Sequence, residues 1–159
     1  MRGKEHTATI TDTDSNNLEN RTIAYSRADV IILCFSLVNR SAFKNIKDKW
    51  LVELEQHCPN TPILLVGTQS DLVHNPDMKK KDIVTYQQIN KLLEHHGIHD
   101  YCESSALTKD GLTTVFEEAL NAAWVGPVRY VMRMKTVHES TVKKLKAYLV
   151  PCMFNRSKH

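Results

Sequence analysis

Residues 28–37 read ADVIILCFSL and residues 62–68 read PILLVGT, and these two apolar runs decide the fold class. Continuous β-branched and aliphatic runs of this length are typical of strands covered on both faces, as in a parallel sheet. A shorter third strand is predicted for residues 100–105, DYCESS. A further strand is predicted for residues 7–11, where polar and apolar residues alternate.

The segments between the predicted strands have helical spacing. Residues 41–56 place apolar side chains along one face, and residues 112–123 repeat them at i, i+3, i+4 and i+7. A second helix, with Ile89, Leu92 and Leu93 directed inward, is predicted to end at Gly97. Alternating strands and helices predict an α/β fold with a doubly wound, mostly parallel sheet.

Composition limits the class of protein. The 159 residues are 42% hydrophobic and 25% charged, which indicates an ordinary globular chain and excludes collagen-like, disordered and repeat classes. The longest apolar run, Val30 to Phe35, is far shorter than the roughly 20 residues that a membrane span needs. Four cysteines, widely spaced at 34, 58, 102 and 152, suit neither a zinc motif nor a disulfide scaffold. We therefore expect a cytoplasmic protein whose cysteines are small buried hydrophobes.

The net charge of +3 conceals two oppositely charged parts. Residues 127–159 hold eight Lys and Arg against Glu139 alone, a net +7, so residues 1–126 carry −4. Gly126-Pro127 predicts a helix stop between a domain at 1–126 and a basic tail at 127–159. Residues 131–149 fit a basic amphipathic helix for an anionic membrane surface or a partner groove, or equally a solvated tail with chance periodicity. Few interleaved aromatics and no recognised motif argue against nucleic acid.

Ligands of doubly wound folds bind at the carboxyl ends of the strands. Gly67-Thr68-Gln69-Ser70-Asp71 follows the second strand, and Ser104-Ser105-Ala106-Leu107 follows the third. Together with ADVIILCFS, at these spacings, the segments resemble the Rho/Rac branch of the Ras-like small GTPases. The resemblance runs from about Tyr25 to Ala123, more weakly back to Ile10, and implies the Ras-like P-loop NTPase fold.

The resemblance implies a guanine site in these two loops. The Asp71 carboxylate would accept two hydrogen bonds from guanine, a pairing that adenine does not offer. In the first loop, Thr68 is expected to brace the loop and the stem of Gln69 to cover the base. In the second loop, Ser105 and Ala106 are expected to form the site, with the Ala106 N–H donating to guanine O6. Leu107 is expected to pack inward. The alternative is that Asp71 only caps a turn.

The phosphate-binding side of the family has no counterpart in this chain. None of the five glycines opens a G-x-x-x-x-G-K-[ST] motif, and the first strand, first helix and first switch are also missing. Losing half a dozen phosphate contacts removes on the order of 9 kcal/mol, about a millionfold in affinity. We expect a fold incomplete on its amino-terminal side, either a truncated product or a degenerate relative with a rearranged sheet edge, and weak binding of GTP or GDP.

Residues 12–16, DTDSN, fall where the family has D-T-A-G-Q. Asp12 would then reach Mg²⁺ through water, and Asn16 replaces the glutamine that orients attacking water. A plain polar turn is an equal alternative. Near the end of the chain, Cys152 begins a sequence like a prenylation box, but four residues follow it, so prenylation is expected to be blocked.

The resemblance implies a GTP/GDP switch with Mg²⁺, acting with Rho-type exchange factors, activating proteins and effectors at membranes and the actin cytoskeleton. We therefore expect a cytoplasmic protein that attaches peripherally to the plasma membrane. The alternative is a nucleotide-independent interaction protein that uses the helix at 41–56 and the basic tail. His95, His96 and His99 lack the further ligand that a metal site needs.

Overall fold

Three parallel strands form the sheet of the computed structural model, which describes residues 7–96 and 98–137. They are β1 (Ile31–Ser36), β2 (Ile63–Thr68) and β3 (Asp100–Glu103), in the order β1-β2-β3. All pairings are parallel. The three strands were predicted from the sequence, and each is one to four residues shorter than the segment predicted for it.

Helices connect the strands. They are α1 (Leu18–Tyr25), α2 (Arg40–Asn45), a π-helical turn (Ile46–Trp50), α3 (Leu51–His57), a 3₁₀ turn (Ser70–Leu72), α4 (Tyr86–His96) and α5 (Leu112–Val137). The predicted helix at 41–56 is thus a continuous helical stretch with a widened turn in its middle. Asn39 caps its start, because the side-chain oxygen accepts a hydrogen bond from Ala42 N at 3.0 Å.

The helices cover the two faces of the sheet unequally. The face that we call the α4 face carries a large core under α2, α3 and α4: Phe35, Leu37, Ile46, Leu51, Leu65, Val84, Ile89, Leu92 and Ile98. The α5 face carries a small core under α5: Leu64, Val66, Val115 and Ala119, with Val30, Ile32 and Cys102 beside it. Helices on both faces agree with the doubly wound arrangement.

A polar network holds α1 against α3 on the α4 face. Arg21, which is buried, forms a paired contact with Glu53 at 2.8 and 2.9 Å, and Tyr25 Oη donates to the same carboxylate at 2.7 Å. The Arg21 guanidinium also lies 5.4 Å from the centre of the Trp50 ring. The hydrogen bond from Arg21 lowers the pKa of Glu53, and burial raises the pKa of Tyr25 to about 12.

Two predicted features are wrong. Residues 7–11 form no strand but an exposed irregular segment, because alternation alone does not make a strand when no neighbouring strand pairs with it. The helix stop expected at Gly126-Pro127 is also absent, since α5 continues to Val137. Glycine and proline make a helix interior less favourable without forbidding it. Residues 138–149 of the predicted tail helix, and Cys152, lie outside the described residues.

Cysteine burial differs from the expectation. Within the described part of the chain Cys58 is buried, Cys102 is half-buried and Cys34 is exposed, and all three are free thiols. Cys34 is exposed because it lies on the outer strand of the α5 face. In the same part of the chain, no helix has both the length and the apolar character needed to cross a membrane.

Candidate functional site

The loops after β2 and β3 are joined to each other at the carboxyl edge of the sheet. Ser70 N donates a hydrogen bond to Ser104 O at 3.2 Å, and Ser104 N donates to Gly67 O at 2.8 Å. The two loops that the sequence singled out therefore form a single surface. Parallel strands end at the same edge, which is why distant segments of the chain meet here.

The first loop is braced from below by β1. Thr68 Oγ1 donates to Phe35 O at 3.1 Å. Gln69 adopts the left-handed region at φ 60°, and its side-chain oxygen accepts a hydrogen bond from Ser36 Oγ. The sequence did not mark Ser36 as a supporting residue; its place at the end of β1 was the only available signal.

Asp71 lies in the short 3₁₀ turn that follows Gln69. Its side chain is half-buried, and no hydrogen bond or ion pair links its carboxylate to another residue that the structure describes. The carboxylate therefore keeps its acceptor capacity at the edge of the joined loops.

The second loop is closed by Ser105, which is fully buried. Ser105 N donates to Asp110 O at 3.0 Å, and Ser105 Oγ accepts from Thr108 N at 3.1 Å. Ala106 is exposed, and its N–H has no acceptor among the described residues.

Leu107 does not pack inward as predicted, because 81% of its surface is exposed. The two preceding serines occupy the inward positions, and the chain then turns, so Leu107 lies at the tip of the loop.

Two glycines permit the close approach of strands and loops. A Cβ at Gly67 would lie 2.7 Å from Tyr101 Oη and 2.9 Å from Leu37 Cγ. A Cβ at Gly111 would lie 2.0 Å from Glu103 O, and Gly111 has a φ of 72°. Both positions therefore exclude a side chain.

Tyr101 forms part of the support beneath the first loop. Its hydroxyl donates to Glu103 Oε1 at 2.7 Å, next to Gly67. Burial and the hydrogen bond to the Glu103 carboxylate raise the pKa of Tyr101 above its usual value. The phenol therefore stays protonated and keeps its role as donor at neutral pH.

Asp12 and Asn16 lie in the exposed segment before α1. Asn16 N donates to Asp14 Oδ1 at 2.9 Å, and Asn17 caps α1 through Asn20 N at 3.0 Å. These residues form a polar turn and a helix cap, and no hydrogen bond described here joins them to the two loops.

The joined loops can recognise a planar polar edge. A carboxylate that accepts and a backbone N–H that donates suit a base edge carrying both donors and an acceptor, as guanine does. Residues 7–96 and 98–137 contain no group of three His, Cys, Asp or Glu side chains placed to hold a metal. Mg²⁺ at nucleotide sites is usually bound through one or two carboxylates together with the phosphates, so Asp12 stays a prediction.

A comparison with protein families matches most of the chain. The Ras family model matches residues 1–124 of the chain. The match includes both loops and all three strands.

Proposed function

Because the chain belongs to the Ras family, we propose that its joined loops recognise the guanine base of GTP or GDP. The observation that carries the proposal is the direct hydrogen bonding between the loop of Asp71 and the loop of Ala106. That contact supports the proposal, because the Asp71 carboxylate and the Ala106 N–H on these loops have no hydrogen-bond partner among the described residues.

Each residue of the site then has a separate task. Asp71 accepts from the two N–H donors of the guanine edge, and Ala106 N–H donates to the O6 oxygen. Thr68 and Ser36 hold the first loop through Phe35 O and Gln69, and Ser105 holds the second. The phosphates of the nucleotide would not be held by a phosphate-binding loop, because the chain has no G-x-x-x-x-G-K-[ST] motif.

The test is a titration of the full chain with a fluorescent GDP in magnesium buffer. We expect weak binding, in the micromolar range or above, that GDP displaces and ADP does not. Asp71→Asn should weaken the binding of GDP and strengthen the binding of the xanthine analogue XDP, because the amide presents a hydrogen-bond donor where guanine also has one. Asp77→Asn is the matched control, an exposed Asp outside the loops. Equal competition by GDP and XDP in both variants contradicts the proposal.

We propose that the pathway is of the Rho type, on the basis of the resemblance of residues 25–123. The lack of a phosphate motif favours a second candidate, a nucleotide-independent protein that binds Rho-type regulators or effectors. A pull-down with a purified Rho-type exchange factor separates the two. Binding that needs GDP and is lost in Asp71→Asn supports the nucleotide-dependent form, and binding unaffected by either supports the second.

We propose that the protein is cytoplasmic and that its basic tail attaches it peripherally to anionic membranes. Each Lys or Arg near such a surface contributes about 1 kcal/mol, and salt screens the attraction. Because α5 continues to Val137, a deletion of residues 138–159 is the suitable variant. The full chain should cosediment with phosphatidylserine vesicles at low salt and the shortened chain should not. Retention of binding by the shortened chain would contradict this assignment.

A further inference from the structure

A groove between α2 and α4 lies outside the guanine loops and shares no residue with them. Its volume is about 490 Å³, within the range of about 300–1,000 Å³ that is typical of ligand sites. The lining residues are Arg40, Phe43, Lys44, Lys47, Asp48, Gln88, Lys91 and Leu92.

The groove is strongly basic on a body that is acidic. Its lining carries four Lys or Arg and one Asp, a net charge of +3, whereas residues 1–126 together carry −4. Lys44 forms a loose pair with Asp48 at 3.9 Å. Lys47 and Lys91 form no ion pair or hydrogen bond with any residue that the structure describes, so their charges are available to a partner.

The walls of the groove are held in place by Arg40. Its guanidinium donates to Lys81 O at 3.0 Å and to Gln88 Oε1 at 3.1 Å, which links the start of α2 to α4. Gln88 Oε1 also accepts from Thr85 N at 3.0 Å as part of the helix cap. The groove is therefore formed before any partner arrives, which lowers the entropic cost of binding.

Apolar side chains also line the groove. Phe43 packs against Phe35 with ring centres 5.0 Å apart, and Leu92 is a buried residue of the core. Lysines at the rim above an apolar floor suit a partner that brings both negative charge and one apolar side chain.

We propose that this groove binds an acidic segment of a partner protein, in which one aromatic or aliphatic side chain is flanked by Asp and Glu. Charge complementarity selects this occupant. The chain's own residues 127–159 carry +7 and would be repelled. A concave floor suits an inserted side chain better than the flat surface of a membrane.

The experiment measures the fluorescence polarisation of short labelled peptides on titration with the full chain. The main probe has a central Phe between Asp and Glu residues. A second peptide replaces that Phe by Gly, and a third replaces the acidic residues by Lys. We expect binding of the first peptide alone, weakening as salt rises.

Charge reversal locates the site. Lys47→Glu with Lys91→Glu should reduce the affinity about tenfold or more, because two unpaired cations become repulsive. Arg27→Glu with Lys109→Glu changes the net charge equally outside the groove and should leave peptide binding unchanged. Circular dichroism confirms that both variants fold, and Lys91→Glu alone replaces the double variant if that one unfolds.

Three results would overturn the proposal. An equal loss of peptide affinity in both charge-reversed variants would mean that binding depends only on the net charge of the chain. Equal binding of the Phe and Gly peptides removes the role of the apolar floor. If phosphatidylserine vesicles, and not the peptide, depend on Lys47 and Lys91, the groove faces a membrane.

Discussion

The two faces of the sheet differ most at its outer strand, β1. In the centre, the neighbouring residues Leu65 on the α4 face and Leu64 on the α5 face are both fully buried. On β1, Phe35 is 3% exposed on the α4 face, whereas Cys34 on the α5 face is exposed. The single helix α5 is therefore enough to cover the central strand β2. On the α4 face, α2, α3 and α4 together cover the sheet as far as its edge strand β1.

The same edge also leaves backbone groups without a partner strand. Ile31 N donates to Pro62 O at 2.9 Å and Leu37 N donates to Thr68 O at 3.0 Å. The alternation of a parallel pair therefore directs the backbone groups of residues 32, 34 and 36 outward. No described strand lies on that side. An open edge of this kind favours association with another chain.

Exposed apolar residues on α5 continue this uncovered region. Phe116 is 45% exposed and Leu120 is 49% exposed. Glu118 lies on the opposite flank of α5, where its charge acts on Cys102 of β3. Helical geometry consequently places Phe116 and Leu120 on the flank nearer β1. The α4 face is a closed core, and the α5 face is a partly open one.

The largest expected effect comes from Leu65→Ala, which creates a cavity in the larger core. We expect a loss of about 3–4 kcal/mol in the free energy of unfolding. Leu64→Ala, the matched variant on the α5 face, should lose about 2–3 kcal/mol, since the smaller core around this equally buried residue can relax more readily. Urea denaturation measures both, and the Leu→Val variants replace them if either fails to fold. A larger loss for Leu64→Ala would show that the α5 face is the tighter one.

The second prediction concerns the junction that holds α5 on its face. Gly111→Ala should cost about 2–3 kcal/mol, because the left-handed φ is unfavourable for alanine and its Cβ would meet Glu103 O. Gly126→Ala is the matched control in the interior of α5, where alanine is the better helix former and should stabilise by up to about 0.8 kcal/mol. Thermal unfolding of both variants checks the opposite signs. Equal stability of Gly111→Ala and the wild type would rule out the close approach of Gly111 to β3.

A smaller, pH-dependent effect is expected at the network that adds α1 to the α4 face. Glu53→Gln removes the charged partner of Arg21 and should lower stability at pH 7 by less than Leu65→Ala does. The pKa of Glu53 is lowered in the folded state from its ordinary 4.5, so its contribution is present above that pH. It is lost as the pH falls through the lowered pKa, where wild type and variant should converge.

Urea midpoints at several pH values measure this convergence. Glu117→Gln, on the exposed surface of α5, is the matched control that removes one carboxylate outside the network. A constant gap between Glu53→Gln and the wild type down to low pH would mean that the ion pair contributes nothing.

Sequence patterns located the covered parts of the fold better than the open ones. The strand at 63–68 was predictable because burial on both faces demands a continuous apolar run, and the strand at 31–36 has such a run although one of its faces is partly open. Residues 7–11 have a local alternation but do not pair with a strand, although the edge of β1 is open, and pairing is not visible in a local pattern. The π-helical turn at 46–50 was not foreseen for a related reason, since a single widened turn keeps the apolar periodicity almost unchanged.

The site shows the same division. Motif spacing placed Asp71 and Ala106 on neighbouring loops, and the structure joins those loops. The bond between Ser36 and Gln69 and the exposure of Leu107 depend on how distant segments are set against each other, which spacing does not report. The basic groove is similar, because Lys91 lies opposite Lys47 only once α4 has packed beside α2.

The smallest effect on stability, and the sharpest test of the open face, comes from Phe116→Lys with Leu120→Lys. Both side chains are already half exposed, so the free energy of unfolding should change by no more than about 0.5 kcal/mol. The charges should nevertheless oppose association of chains through the α5 face, because two lysines on each copy repel and cost desolvation. Sedimentation velocity over a range of concentrations should show self-association of the wild type and a monomer for the variant.

Val52→Lys with Ile23→Lys is the matched control, since Val52 is 46% exposed and Ile23 51% exposed on helices of the other face. If the control prevents association and the α5 variant does not, the molecule associates through its α4 face. The α4 face would then be the more open of the two faces.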